Sequence, residues 1–530
     1  MKMFWEDEFH GLARTNLAGS RLQLVRERCQ QLSNHVCRPG PFRELDGSCN
    51  NLEHPDWGAA FSCMRRLLPP RYADGVSSPR ISETGAELPN PRMVSTTVHV
   101  DLDRPSRDTT HMLMQWGQFL DHDFALAPIS SVPGEIVDLG NPNDVIDCCS
   151  TETRHSPRCF SFDIPPTDHF FGKYGEHCMN FPRSARCPLC SLGPRQQMDS
   201  LTSFVDGSQV YGSSLEDSLK LRTLQGDGRL KFDVGRRGDM ILPASFPPYR
   251  GQVQSSRAGG PVLRAGDERV NEQPGLTAMH TLWLRQHNLI AMRLSRINPH
   301  WDDERIYQEA RRIVIGQMQM ITYNEFPTAS RGQSVPPRVR TRSATVRLHH
   351  LQQPDRPVHV ERVRGRRIPL RTHHPQRGLH ADRLQGSHRP HRTPDLISLN
   401  IQRGRDHGIR GYTDYLKGCF GLRVTKFEHL DSAMPRPVRE RLQRLYTHVN
   451  DIDLFTGWCV GVLTPRWRGG SHLRLHLGHP VLEAEVRRPL LLRARRPSRK
   501  LHAGNPEVPC ATLRGLNMDA WIEVPPGVTT

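Results

Sequence analysis

The sequence predicts a mainly α-helical protein, and two observations support this fold class. Several stretches repeat apolar residues at intervals of three and four, which is the period of one buried helix face. Elsewhere, Pro and Gly divide residues 125–270 into loops and short helices, without the sustained apolar and polar alternation that a large sheet needs. The 530 residues are 36% apolar, so the chain can bury a large core and is not wholly disordered.

Two helices are predicted most clearly. Residues 111–124 place Leu113, Trp116 and Leu120 at the spacing of one buried side. Residues 272–296 form a longer helix that begins near a proline, a residue tolerated in the first helical turn. Long loops are expected between these elements.

The helical pattern stops abruptly at two places. Residues 302–326 carry apolar residues at helical spacing, but the pattern ends there, resumes at Leu396 and fails again after Gly457. We therefore interpret residues 327–394 and 458–530 as anomalous segments. The sequence predicts one domain over residues 37–457, interrupted by the first anomalous segment, with residues 1–36 as an N-terminal flank.

The net charge of +17 belongs almost entirely to these two segments. Residues 327–394 contain 15 Arg, no Lys, 3 acidic residues and no aromatic residue. Residues 458–530 contain 10 Arg, 1 Lys and 5 acidic residues. Nucleic-acid-binding tails usually mix Lys with Arg and do not begin abruptly inside a helical pattern, so we expect no nucleic-acid partner.

Cysteine usage indicates the compartment. Six of the 13 cysteines lie between Cys148 and Cys190. The Cys187–Cys190 pair could be half of a zinc site, but a second pair at matching spacing is missing, so disulfides are favoured. An oxidising compartment requires export, although the opening residues do not resemble a signal peptide. No apolar run approaches the length of a membrane span.

The first candidate site is the string QWGQFLDHD. On a helix, Gln118, Asp121 and His122 stand at i, i+3 and i+4 and share one face, whereas Asp123 lies about 100° further round. An imidazole beside an amide and a carboxylate can transfer protons near neutral pH. The same spacing also fits a polar, solvent-exposed helix face.

The second candidate site is the string LTSFVDGSQVYG. Thr202, Phe204, Asp206 and Ser208 alternate on a two-residue period and offer hydroxyl, carboxylate and main-chain oxygens, which suit a hard cation. An ordinary loop or edge strand shows the same alternation. A third string places Arg269 three residues before Glu272, a spacing that more often gives a surface ion pair of little energetic value.

Taken together, these strings resemble the animal haem peroxidase family. MQWGQFLDHD, LTSFVDGSQVYG, RVNEQPGLTAMHTLWLR and LNIQRGRDHG occur in the order found in that family, and FRELDGSCNNLEHPDWG near the start fits as well. The resemblance covers about residues 40–326 and 396–457. It implies a helical domain with a central haem pocket, in an extracellular or secreted protein.

The resemblance implies a role for each candidate residue on the distal side of the haem. His122 resembles the distal histidine, which takes a proton from hydrogen peroxide and returns it to the leaving oxygen, and Arg269 resembles the arginine that stabilises the developing charge. Gln118 would hydrogen-bond water or halide. The implied reaction is oxidation of phenolic or tyrosyl donors, or halide, by hydrogen peroxide through an oxyferryl intermediate.

The resemblance also implies how haem b would be held. Asp121 and Glu272 match two carboxylates that can become ester-linked to haem methyl groups. Asn400 and Arg403 match an asparagine that holds the proximal histidine and an arginine near a haem propionate. Gln273 stands where myeloperoxidase, a member of the family, has a haem-bound methionine, so that third link is not expected.

A calcium ion is the second cofactor that the resemblance implies. Asp123 matches the calcium-binding carboxylate. The set is completed by Thr202, the Phe204 carbonyl, Asp206 and Ser208.

The largest departure is that the family's proximal histidine, in a segment resembling AYRFGHT, is absent from this sequence. Haem iron needs that axial ligand. His373 and His374 are the nearest substitutes by position, and His407 is more simply interpreted as structural. With suitable codons, residues 362–374 read one base later give EFAAAAYRFGHT, the missing motif.

The second anomalous segment behaves alike. Residues 471–494, read one base later, permit a string that resembles the family's closing helix. We therefore interpret the sequence as a frame-disrupted gene or a natural pseudoenzyme, and expect residues 327–394 to lack regular packing. The alternative function is an adhesion or matrix protein that keeps the fold without turnover. An Arg-rich nucleic-acid binder is the third alternative.

Overall fold

The computed structural model describes residues 37, 40–99, 110–129, 146–187, 193–244, 262–326 and 394–461. The predictions about residues 1–36, 327–393 and 462–530 lie outside these described residues. The described helices are α1 (Pro91–Val98), α2 (Met112–Phe124), α3 (Ser208–Tyr211), α4 (Leu215–Leu221), α5 (Pro274–Ile297), α6 (Asp303–Met320), α7 (Leu396–Asp406), α8 (Tyr412–Phe420), α9 (Arg436–Leu445) and α10 (Leu454–Val460).

The predicted mainly helical class is confirmed. Within the described residues, extended structure consists of three antiparallel pairs of two-residue strands and a few isolated β-bridges. The strands are β1 (Ser62–Cys63), β2 (Phe162–Asp163), β3 (Cys178–Met179), β4 (Met198–Asp199), β5 (Asp233–Val234) and β6 (Met240–Ile241), paired β1 with β4, β2 with β3, and β5 with β6. These short pairs fasten loops and do not form a layer of the core.

Helix α2 forms where the sequence predicts it and buries one side. Trp116, Phe119 and Leu120 are buried, and Leu113 is half-buried at the margin of the same side. The helix ends at Ala125, which has extended backbone angles. His122 and Asp123 therefore lie in the last turn of α2, next to the loops that surround the end of the helix.

Helix α5 packs against both α6 and α2, and the three helices contribute to the larger core. Gln273 caps α5 by accepting a hydrogen bond from a backbone N–H of its first turn, and Asp302 caps α6 in the same way. The strictly buried members of the core include Leu276, Ile290 and Met318. This packing brings the start of α5 alongside the end of α2.

A second core lies between α1 and the helices from α7 to α10. Asp395 caps α7 by accepting a hydrogen bond from the backbone N–H of Ile397. Ile401 of α7 is fully buried among apolar residues of the other helices of this group. Helix α10 continues to Val460, three residues past the break that the sequence predicts.

Disulfides tie the loops together, as the cysteine pattern predicts. Cys187 is bonded to Cys63, 124 residues earlier, so the zinc alternative for Cys187 is wrong. The other disulfides among the described residues are Cys37–Cys49, Cys148–Cys159 and Cys149–Cys178. Over the same residues, none of the helices combines the length and the apolar character that crossing a bilayer requires.

Candidate active site

The end of helix α2 separates two kinds of chemistry, as its spacing predicts. Gln118 and His122 approach the same carboxylate: the Gln118 Nε2 lies 3.3 Å and the His122 Nε2 lies 3.8 Å from the Oε2 of Glu272. Asp123 turns instead toward the loop before α3, where it accepts a hydrogen bond of 2.7 Å from the backbone N–H of Ser208.

His122 is a buried imidazole between two carboxylates. Its Nδ1 lies 3.7 Å from the Oδ1 of Asp267, on the side opposite Glu272. Burial, followed by the positive charge of Arg269, lowers the pKa of His122 to about 3, against the weaker opposing influence of Asp267 and Asp121. The imidazole is therefore neutral at physiological pH, and the exposed polar face considered above is not what forms here.

Arg269 is held in place by Asp267. The Arg269 Nη2 donates to the Asp267 carboxylate at 2.6 Å and its Nε donates at 2.9 Å, while its Nη1 donates to the carbonyl of Ala125 at 3.0 Å. Burial is the largest single influence and opposes the charge on Arg269, but the charge and hydrogen bonds of Asp267, with the charges of Asp121 and Glu268, together raise the Arg269 pKa. The surface ion pair with Glu272 considered above is thus replaced by a contact with a buried carboxylate.

Asp267, which the sequence pattern does not single out, lies between His122 and Arg269. Burial would raise its pKa, but the charges of Arg269 and His122 lower it to about 2, so the carboxylate is ionised. Asp267 also caps the short 3₁₀ helix Glu268–Asn271 by accepting a hydrogen bond from the Arg269 backbone N–H. That capping position is the only signal in the sequence, because its contact with His122 spans 145 residues of chain.

Three glutamine side chains form a connected amide group beside this site. The Gln273 Nε2 donates to the Oε1 of Gln115 at 2.7 Å and to the Oε1 of Gln118 at 2.8 Å. The Gln115 Nε2 also donates to the Gln118 Oε1, at 3.3 Å. Gly275 allows this approach, since a Cβ at that position would lie 2.5 Å from the Gln115 Oε1.

The predicted cation-binding residues are buried near Asp123, whose carboxylate accepts a hydrogen bond from the Ser208 hydroxyl. Thr202, Phe204, Asp206 and Ser208 are all buried, and the Thr202 Oγ1 donates to the Asp206 Oδ1 at 2.9 Å. Burial, and then the nearby charge of Asp206, raises the pKa of Asp123 well above its usual value. Two buried carboxylates that repel each other, surrounded by neutral oxygens, form a donor set suited to a hard cation.

Asn400 and Arg403 lie on α7, one turn apart. Asn400 is half-buried. The Arg403 guanidinium lies 4.0 Å from the centre of the Phe181 ring and donates to the carbonyl of Pro182 at 2.9 Å and to the carboxylate of Asp406 at 3.2 Å. Arg403 is thus anchored to the 181–184 segment, and its predicted role toward a propionate stays a prediction.

His407 has the structural role considered above. It is buried, and its Nε2 lies 2.6 Å from the hydroxyl of Ser184. Its neighbour Asp406 accepts hydrogen bonds from the Nε of Arg183 at 2.6 Å and from the Ser184 backbone N–H at 2.9 Å. His373 and His374, the other substitutes for a proximal ligand, lie outside the described residues.

A neutral buried imidazole, a fixed guanidinium and neighbouring carboxylates thus lie together at the end of a core helix in a mainly helical protein. Comparison with family models gives the family: the animal haem peroxidase model matches residues 42–343 and 376–474. The chain belongs to the animal haem peroxidase family. The match extends beyond residues 40–326 and 396–457, into both segments that the sequence analysis interprets as anomalous.

Curated relatives agree with this assignment. Peroxidasin homolog from Mus musculus is 34% identical over 86% of this chain, and chorion peroxidase from Aedes aegypti is 34% identical over 84%. Thyroid peroxidase from Sus scrofa is 30% identical over 96%, in an alignment of 621 positions. The chain spans about a third of the mouse peroxidasin homolog, 62% of the chorion peroxidase and 66% of the thyroid peroxidase.

Solved structures show the same fold. Peroxidase A from Dictyostelium discoideum matches with a TM-score of 0.54 and 24% identity, covering 80% of this chain and 88% of that one. Fatty acid alpha-dioxygenase from Oryza sativa matches with a TM-score of 0.53 and 16% identity, covering 87% of this chain and 83% of that one. At these identities, the similarity establishes the fold alone.

Proposed function

We propose that this protein is a secreted haem peroxidase that uses hydrogen peroxide to oxidise phenolic or tyrosyl donors, or halide. The observation that carries the proposal is the arrangement of His122, Asp267 and Arg269, which sets a neutral base beside a fixed positive charge. Family membership supplies the reaction class. The four disulfides among the described residues are consistent with an oxidising, extracellular setting.

Haem b fits the residues present on the distal side of the site. Asp121 and Glu272 would hold it through esters to its methyl groups, Arg403 would lie near a propionate, and Asn400 would hold a proximal ligand. When bound, haem supplies the redox-active iron at which the peroxide bond is broken. Both carboxylates border the site: Asp121 is near enough to Arg269 to favour its charged form, and Glu272 lies 3.8 Å from the Nε2 of His122.

His122 would act as the proton carrier. Because its pKa is lowered to about 3, the imidazole is neutral and can accept a proton from hydrogen peroxide at Nε2, the nitrogen on the Glu272 side. It would then return that proton to the departing oxygen, which leaves as water. General acid-base transfer of this kind contributes roughly 10² to 10⁴ in rate.

Arg269 would stabilise the negative charge that develops on the departing oxygen. Its charge is permanent, and its hydrogen bonds to Asp267 and to the Ala125 carbonyl fix its position before any reaction begins. A preorganised charge in a site shielded from water is more effective than the same charge in solvent. Asp267 would serve as a positioning residue for both His122 and Arg269.

Calcium would occupy the oxygen set around Asp123, with Thr202, the Phe204 carbonyl, Asp206 and Ser208 as further ligands. The support is the burial of two ionisable carboxylates in a space lined by oxygens. Asp123→Ala should lose the ion and disturb the adjacent His122. Retention of calcium by that variant, with an unchanged peroxide reaction, would refute this assignment.

The central experiment measures the reaction with hydrogen peroxide by rapid mixing in haem-loaded protein. His122→Ala and Arg269→Ala should each slow it by orders of magnitude. His111→Ala, an exposed histidine on the flank of the same helix, is the matched control and should react like the wild type. A rate near wild type for His122→Ala or Arg269→Ala would remove that residue from the mechanism.

The alternative, an adhesion or matrix protein without turnover, is favoured by one observation: the AYRFGHT-like proximal motif is absent from this sequence. A haem absorption spectrum and peroxide turnover separate the two functions. Sequencing the transcript across the codons of residues 326–396 reveals the cause. Recovery of a frame that encodes the motif supports the enzyme, whereas a transcript that encodes this sequence supports the inactive relative.

A further inference from the structure

We infer that Gln273 is a positioning residue that turns the Gln118 amide so that its N–H₂ group, and not its carbonyl oxygen, faces the Glu272 side of the site. The inference rests on the proposed function only in treating that side as the place where a reducing substrate binds. It assigns a role to a residue that the reaction chemistry itself does not require.

The orientation of the Gln273 amide is fixed by a backbone N–H group, which can act only as a donor. Glutamine oxygen and nitrogen are interchangeable in shape, so their assignment must come from the hydrogen-bond network. The Gly275 backbone N–H, which can only donate, lies 2.7 Å from the Gln273 side chain. The atom of Gln273 that faces Gly275 must therefore be the oxygen, since two N–H groups would repel each other at that distance.

The position of Gly275 at the start of a helix makes its N–H group depend on the Gln273 oxygen as an acceptor. Gly275 lies in the first turn of α5, where backbone N–H groups have no carbonyl partner within the helix. Gln273 supplies the missing acceptor as the helix cap. Reversing the Gln273 amide would both leave that N–H without an acceptor and place a second donor against it.

The orientation of Gln273 then determines the orientations of the Gln115 and Gln118 amides. With its oxygen toward Gly275, Gln273 presents its Nε2 to Gln115 and Gln118 at 2.7 and 2.8 Å, so both of those atoms must be oxygens. Gln115 favours the same orientation of Gln118, because the Gln115 Nε2 donates to the Gln118 oxygen at 3.3 Å. The Gln118 oxygen is thus occupied by two donors.

Because the oxygen of Gln118 is engaged by the other two glutamines, its Nε2 is the group that faces the site. Its Nε2 is directed toward Glu272, 3.3 Å from the carboxylate oxygen, on the same side as the Nε2 of His122. The site therefore offers an amide donor to anything bound there. A donor favours an anionic or oxygen-bearing substrate over one that must itself donate a hydrogen bond.

The first test reads the orientation directly in the full, haem-free chain with ¹⁵N-labelled glutamine side chains. The Gln273 amide protons should exchange with solvent slowly, because both are donated, and Gln118→Leu should accelerate their exchange. Gln286, on the other side of α5, donates to Gln317 at 3.0 Å and serves as the internal control, which Gln118→Leu should not change. Unchanged Gln273 exchange in Gln118→Leu overturns the inference.

The second test measures binding of ¹⁵N-labelled thiocyanate to the same haem-free protein by line broadening. Gln273→Leu should weaken binding by about fivefold to tenfold, the effect of losing one oriented hydrogen bond, and Gln286→Leu should not. If Gln273 acts through Gln118, the Gln118→Leu/Gln273→Leu double variant binds no more weakly than Gln118→Leu. Additive losses would overturn the inference.

The two tests separate this inference from the proposed function. Protected Gln273 protons without thiocyanate binding would support the positioning role and would remove small anions from the proposed substrates. Loss of peroxide reactivity in the wild type, with both amide tests positive, would contradict the proposed function and leave the role of Gln273 intact.

Discussion

The distal region, formed by the end of α2 and the segment from Asp267 to Gln273, contrasts with the polar cluster at the end of α7. Both use arginine, aspartate and histidine side chains. In the distal region, the ring nitrogens of His122 lie 3.7 and 3.8 Å from the nearest carboxylate oxygens, beyond hydrogen-bond length. At the end of α7, the Nε2 of His407 lies 3.9 Å from a carboxylate oxygen of Asp406 but only 2.6 Å from the hydroxyl of Ser184.

The polar cluster at the end of α7 is held together by buried ion pairs and hydrogen bonds to Asp453. Arg405 donates to Asp453 at 2.6 Å, and Asp453 also accepts hydrogen bonds from Arg80 and from the hydroxyl of Tyr446. Burial would raise the pKa of Asp453, but the charges of Arg405 and Arg80 lower it. The Asp453 carboxylate thus joins three parts of the chain through its hydrogen bonds with Arg80, Arg405 and Tyr446.

The comparison teaches that residue type does not distinguish a reactive site from a structural one. His122 and His407 are both buried, and burial lowers the pKa of both. They differ in whether the ring nitrogens are already used. A histidine that holds the fold is engaged at short range, whereas one that can exchange a proton with a ligand keeps a nitrogen available.

The largest effect should come from breaking the α7 cluster. Asp453→Ala leaves Arg80 and Arg405 as buried charges without their shared carboxylate, and should lower the free energy of unfolding by about 3–5 kcal/mol. Urea denaturation measures this loss. Glu440→Ala, which removes the exposed pair with Arg436, should leave the free energy of unfolding almost unchanged. Equal losses for the two variants would contradict the distinction.

Acid should weaken the fold through its buried neutral histidines. Burial lowers the pKa of His280 to about 4, so between pH 6.5 and 4 the unfolded chain takes up a proton there that the folded chain does not. Wild-type stability relative to His280→Leu should fall by about 1.4 kcal/mol per pH unit across that window, and should be constant above it. His429→Leu, at an exposed site, is the control. A pH-independent difference would refute the effect.

Breaking the distal region at Asp267 should affect reactivity more than folding. Asp267→Asn removes the charge that positions Arg269 and should slow the reaction with peroxide by about 10- to 100-fold, as is typical of residues that orient a reacting group. Stopped-flow mixing of haem-loaded protein measures the rate. Asp239→Asn, which weakens the exposed pair with Arg285, should leave the rate unchanged. A similar slowing in both variants would mean that the charge acts non-specifically.

The smallest effect should come from His407. His407→Leu removes the contact with the Ser184 hydroxyl and should cost about 1 to 2 kcal/mol of stability, without changing the peroxide reaction. Adding Ser184→Ala should cause little further loss, because both substitutions remove the same contact. A slowed peroxide reaction in folded His407→Leu would show that the structural assignment of this histidine is wrong.

Much of the scaffold was predictable from local pattern. The helix predicted at residues 111–124 is observed at Met112–Phe124, and the one predicted at 272–296 is observed at Pro274–Ile297. Both follow from apolar residues at helical spacing and from Pro274 in a first turn. The divergence of His122 and Asp123 was also predictable, since adjacent residues on a helix point about 100° apart.

The partners within the site were not predictable in the same way. Asp267 meets His122, and Gln273 meets Gln115, across 145 and 158 residues of chain. Such contacts depend on how α2 packs against α5, and the apolar side chains that drive this packing carry no information about which polar groups will meet beside them. The sequence therefore identified His122, Arg269 and Gln118 as candidates and placed Gln118 and His122 on one helix face, but it did not reveal that Asp267 lies beside both His122 and Arg269.

By itself, the sequence determined the mainly helical class, the positions of the helices and the order of the motifs that resemble the family. These features depend on residues near one another in the chain, where helix geometry fixes the spacing of side chains. Only the tertiary structure decided that Arg269 pairs with a buried aspartate, that His407 is committed to Ser184, and that Gln273 orients Gln118. The physical reason is that hydrogen-bond partners distant in sequence are chosen by the packing of the core, which no local pattern encodes.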